Sequence, residues 1–91
     1  MEIKADKINE RLQQMVDLGI QGIDIMHGEL KIRLLEAERE LELAQEEEDR
    51  TEEAIDSMER KYWEGQVEAL AYCYGLTYDI SFAIADKEAA E

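Results

Sequence analysis

Apolar residues recur along most of this chain in alternating steps of four and three. The series runs Leu30, Leu34, Ala37, Leu41, Ala44, Glu48, Thr51, Ile55, Met58, Tyr62, Gly65, Ala69, Tyr72, Leu76, and only Glu48, Thr51 and Gly65 break its apolar character. The positions between them are largely Glu, Arg, Lys, Asp and Gln. A period of about 3.5 residues with polar flanks is the signature of a coiled-coil seam, because it keeps one stripe of a helix turned toward a partner. Composition agrees, since Ala, Leu, Glu, Arg and Gln are all good helix formers. One helix over residues 29–74 spans about 70 Å at about 1.5 Å per residue. So long a rod cannot bury its own seam. It must fold back on itself or find a second chain.

Residues 46–52 decide between those outcomes. Glu48 and Thr51 weaken the seam there, yet the repeat keeps its phase across them and no Gly or Pro intervenes. That continuity favours one unbroken helix with the seam closed by a homodimer. The alternative is a helical hairpin turning near residues 47–50, with Asp49 as N-cap and Glu52 three residues later completing a capping-box-like pair.

The flanks read as shorter helices. Ile3, Lys7, Ile8, Leu12, Met15 and Val16 form one apolar face, with Asp6 or Asn9 available as a cap. Gly19, Gly22 and Gly28 follow, each costing a helix about 0.8–1 kcal/mol relative to alanine, so an elbow is expected among them. Gly22-Ile23-Asp24-Ile25 alternates like a short strand. Leu76, Tyr78, Ile80, Phe82 and Ile84 also alternate, but a lone strand has no sheet to join, and the alanine-rich tail favours a helix over residues 77–90. Gly75 marks a bend before it. The chain therefore divides into residues 1–28 (N-terminal helix and glycine-rich elbow), 29–75 (coiled-coil helix with an aromatic end) and 76–91 (C-terminal helix). The fold class is all-α: a coiled-coil dimer or helical hairpin with a helix at each end.

Charge narrows the partners. The 91 residues hold 24 Asp or Glu against 10 Lys or Arg, a formal net charge of −14. Such a chain repels phosphates and anionic lipid head groups, so direct nucleic acid or membrane contact is not expected. Glu46, Glu47, Glu48, Asp49, Glu52 and Glu53 make the densest acidic surface, read as the solvated side of a helix. No stretch reaches the roughly 18 apolar residues of a membrane span. The first residues lack the apolar core of a signal peptide, and a cytoplasmic protein is expected.

Candidate chemistry is sparse. His27 is the only histidine, and its partner at helical spacing, Asp24, has no second such pair to complete a metal site. It reads as a structural or loop histidine. Cys73, in Ala71-Tyr72-Cys73-Tyr74, reads as a buried, reduced thiol without the base that nucleophilic catalysis requires. No phosphate loop and no Ser/His/Asp set occurs, so the expectation is a non-enzymatic protein without cofactors or metal. All six large aromatic residues fall between positions 62 and 82. Tyr62, Trp63, Tyr72 and Tyr74 are the candidate interaction residues, because Trp and Tyr concentrate at binding hot spots.

The run Met58-Glu59-Arg60-Lys61-Tyr62-Trp63-Glu64-Gly65-Gln66-Val67-Glu68-Ala69-Leu70, preceded by acidic heptads, resembles small acidic helical accessory proteins of actinobacterial phages. The resemblance covers about 30 residues by this pattern. It implies a protein of the host-cell cytoplasm that binds a host or rival-phage protein, and it transfers no catalytic residue. The expected function is a protein–protein interaction module, pairing with itself and with an unidentified protein. An acidic nucleic-acid mimic that sequesters a DNA- or RNA-binding protein is the alternative, and a virion or assembly component a second one.

Overall fold

The structure, a computed structural model, describes residues 8–91. Three helices follow one another: α1 (Glu10–Asp17), α2 (Gly22–Thr51) and α3 (Ala54–Ala90), and the described residues include no strand. The protein is all-α. Its two long helices fold back on each other as a hairpin, against the continuous rod that the unbroken phase favours.

The turn lies at Glu52 and Glu53, beyond the expected residues 47–50, and Asp49 sits inside α2 rather than capping α3. Glu52 ends α2 in the left-handed conformation (φ 56, ψ 24), and its N–H donates to the Glu48 carbonyl at 2.8 Å. Glu53 is extended and starts α3 without a side-chain cap. The Thr51 hydroxyl lies between the Glu47 carbonyl at 3.1 Å and the Asp56 carboxylate, which ties the last turn of α2 to the first of α3. Arg50 at the end of α2 and Asp56 at the start of α3 match the helix dipoles. The link thus forms without Gly or Pro.

Asn9 caps α1, accepting from the Leu12 N–H at 2.8 Å, as one of the two anticipated caps. The other, Asp6, and Ile3 and Lys7 of the expected face lie outside the described residues. Of the three close glycines only Gly19 breaks the chain, with φ +79. Gly22 begins α2 and Gly28 lies within it, so the stretch 22–25 is helix and not strand. Gly75 is equally helical. Residues 76–91 accordingly form no separate helix, since α3 runs unbroken to Ala90. Leu12 and Met15 of α1 are half-buried, and Arg11 donates to Glu29 of α2 at 2.5 Å.

The hairpin seam uses the expected residues of α2 and different ones of α3. Leu30, Leu34 and Leu41 are half-buried, and Ala37 and Ala44 are buried at 2% and 6% exposure. Opposite them, Arg60, Trp63, Val67, Leu70, Tyr74, Thr77, Ser81 and Ile84 are among the half-buried positions of α3. These also step by three and four. The heptad pattern of α3 is therefore double, and its inner stripe meets α2. Ile55 and Met58, expected in the seam, point outward.

Candidate functional site

Outward-facing apolar residues define the surface of interest. Ile55, Met58, Tyr62, Tyr72 and Leu76 are 68%, 70%, 58%, 72% and 46% exposed, with Gly65 and Ala69 completing the same stripe. Their spacing of three and four keeps them in line along α3 for more than 30 Å at about 1.5 Å per residue. Large contiguous apolar patches are uncommon on the surfaces of monomeric proteins.

The four aromatic candidates divide between two faces of α3. Tyr62 and Tyr72 lie on the outer stripe, with Tyr62 making an edge-to-face contact to Trp63 at 5.1 Å between ring centroids. Trp63 and Tyr74 are half-buried in the hairpin seam. Between the faces runs an open groove of about 620 Å³, bordered by Ala37, Glu40, Tyr62, Trp63, Gln66 and Leu70. The residues the sequence treats as one aromatic end thus divide between an exposed outer face and an inner packing face. The alternation of exposure, one residue apart at 62 and 63, follows from the 100° step of a helix.

Polar groups lock the hairpin at both ends. Near the turn, Arg60 Nε donates to Glu48 at 2.7 Å and its Nη1 to Glu64 at 2.5 Å. The Ser57 hydroxyl, with Arg60, holds the Glu48 carboxyl below the ordinary carboxylate range. At the far end, Ser81 Oγ donates to Asp24 at 3.0 Å. His27, helical rather than in a loop, stacks on Tyr74 at 4.5 Å between ring centroids and 18° between planes. Its Nδ1 lies 3.1 Å from Thr77 Oγ1, and the Thr77 hydroxyl itself donates to the Tyr74 carbonyl at 3.0 Å. His27 Nδ1 and the Thr77 hydroxyl thus pair across α2 and α3. This is a packing role for His27.

Cys73 is exposed, against the expectation of a buried thiol, because it sits beside the outer stripe and not in the seam. Of the acidic residues, Glu46, Asp49, Glu52 and Glu53 are exposed, while Glu47 and Glu48 are half-buried. Glu47 pairs with Arg50 within α2. The acidic surface is therefore partly structural. Among the described residues no group of three or more metal-ligating side chains comes together, and no helix is long and apolar enough to cross a membrane.

The arrangement defines a class: a two-helix hairpin with a small helix docked on it and a long apolar stripe of α3 left open. No family model matches the chain, and no curated protein or solved structure matches it.

Proposed function

We propose that this protein is a non-enzymatic protein–protein interaction module whose working surface is the outer stripe of α3. The observation that carries the reading is the exposure of Ile55, Met58, Tyr62, Tyr72 and Leu76 in one line. Water-exposed tyrosines beside aliphatic residues supply hot-spot chemistry, and the hairpin holds them on a regular helix, so little ordering is needed on binding. The likeness of residues 58–70 to actinobacterial phage accessory proteins supports a phage-encoded protein acting in the host cytoplasm on a host or rival-phage protein. A pull-down from the native host tests it, with Tyr62→Ala/Tyr72→Ala as control. Trp63→Ala is the wrong control, since Trp63 packs in the seam. A partner recovered equally by the double variant overturns the assignment of the surface.

A second reading, the nucleic-acid mimic, is favoured by one feature: the turn gathers Glu46, Asp49, Glu52 and Glu53 on one exposed tip. Salt separates the two. A partner held by that tip dissociates steeply as salt rises, whereas one held by the α3 stripe does not.

A further inference from the structure

We propose that the outer stripe of α3 is covered by a second copy of this chain, packed antiparallel about a twofold axis at residue 67. The product is a four-helix assembly with the two α3 helices at its centre and its two acidic tips at opposite ends. This names a partner for the surface described above and rests on that reading.

Area is the first argument. The chain exposes 7460 Å², whereas a compact monomer of its mass exposes about 5,500 Å². Its radius of gyration is 17.4 Å, against about 12 Å for a compact domain of this length. The excess of about 2,000 Å² is more than twice the roughly 800 Å² per partner of a standard interface. The only buried apolar residues among those described are two alanines, Ala37 and Ala44. A hairpin with so little core gains most by burying a face it already has.

The order of residues along the stripe supplies the second. Counted outward from residue 67, the pairs are Gly65 and Ala69, then Tyr62 and Tyr72, then Met58 and Leu76. Each pair is equidistant from the centre and matched in size. Antiparallel pairing at that centre sets Gly65 on the partner's Ala69, Tyr62 on the partner's Tyr72 and Met58 on the partner's Leu76. Small residues meet at the crossing, where two backbones approach closest, and large ones fill the space on either side. Beyond Met58 the match ends, as Ile55 comes opposite the partner's Asp79. Glu68 flanks the axis at the solvent edge beside the partner's Glu68.

Charge decides the direction. Residues 46–56 hold seven acidic side chains and one basic one, Arg50. Parallel pairing on the same stripe sets two such tips side by side. Antiparallel pairing places residue 52 of each copy 15 residues from the axis, about 45 Å apart at about 1.5 Å per residue. That is several times the Debye length of about 8 Å at physiological salt.

Sedimentation of the full chain should give twice 10.6 kDa. Gly65→Lys and Tyr72→Lys should each weaken association at least tenfold while keeping the helical signal. Both make the chain less negative, so loss of the dimer cannot come from a larger net charge. A Cβ at Gly65 meets no atom within 4 Å in the single hairpin, so a side chain has room to leave the backbone there. Spin labels at residue 52, placed by Glu52→Cys in a Cys73→Ser background, should lie about 45 Å apart. A monomeric wild type, a dimer that both lysine variants leave intact, or a label distance less than half that value overturns the proposal. If the wild type is monomeric and Tyr62→Ala/Tyr72→Ala still loses a host partner, the second copy falls and the interaction surface stands.

Discussion

Replacing Glu52 by glycine probes the hairpin at the residue least suited to it. Glu52 occupies φ 56, ψ 24, where the Cβ of an L-residue crowds the following carbonyl at a cost of about 1–2 kcal/mol. Glycine has no Cβ, but it loses more backbone freedom on folding. The net gain of Glu52→Gly over Glu52→Ala at such a position is about 1 kcal/mol. Alanine is the proper reference, because both variants remove the same charge from the acidic turn. In a continuous helix the order reverses, as glycine is about 1 kcal/mol worse than alanine in a helix interior. The two architectures differ by a swing of about 2 kcal/mol and, more usefully, by sign. Thermal unfolding followed by far-ultraviolet circular dichroism reads it. A gain of 1 kcal/mol raises the midpoint of a chain this size by about 4–8 °C. Both variants must be compared at one protein concentration, since association shifts the midpoint by mass action. An alanine variant that melts above the glycine variant would refute the left-handed turn, and the hairpin with it.

Two further outcomes follow from the seam. Ala37→Leu inserts a branched side chain at a position only 2% exposed and should destabilise the hairpin by about 1–3 kcal/mol through overpacking. The same change at Glu38, exposed on α2, should leave urea unfolding nearly unmoved, and equal effects at the two sites would contradict the seam. Glu48 is held below its ordinary range by the Ser57 hydroxyl and Arg60, so folding favours its ionised form. Its contribution is complete above the unfolded-state value of about 4.3 and is lost as pH falls through the lowered folded value. The urea midpoint of the wild type should therefore exceed that of Glu48→Gln near neutrality and converge with it in acid. A difference that grows on acidification would contradict the Ser57 and Arg60 contacts.

Several features were legible in the chain without the fold. The heptad steps of Leu30, Leu34, Ala37, Leu41 and Ala44 place one apolar stripe on α2, and that stripe is the seam. Asn9 as a cap and Gly19 as part of an elbow are local effects, settled by neighbouring backbone groups. The C-terminal stretch is helical as its alanines suggest. Cys73 and the aromatic residues were harder. Trp63, Val67, Leu70 and Tyr74 are visible in the sequence as a widening of the first stripe, yet they are the contact itself. Their signal was a second series in steps of three and four, offset by one or two residues from Tyr62, Gly65, Ala69 and Tyr72.

Local sequence, then, determined that this protein is helical, that α1 has a cap at Asp6 or Asn9, and that α3 carries apolar residues on more than one side. Periodicity is a property of a single helix, so it can be read from one strand of text. Which stripe of α3 meets α2 is a property of two helices. It was decided by the alternatives that the whole fold brings into competition: Ala37 beside Trp63 and Leu70, Glu48 within reach of Arg60, and Asp24 within reach of Ser81. The turn at Glu52 belongs with these. Its left-handed residue is unfavourable on its own, and only the packing of α2 on α3 along their length compensates for it.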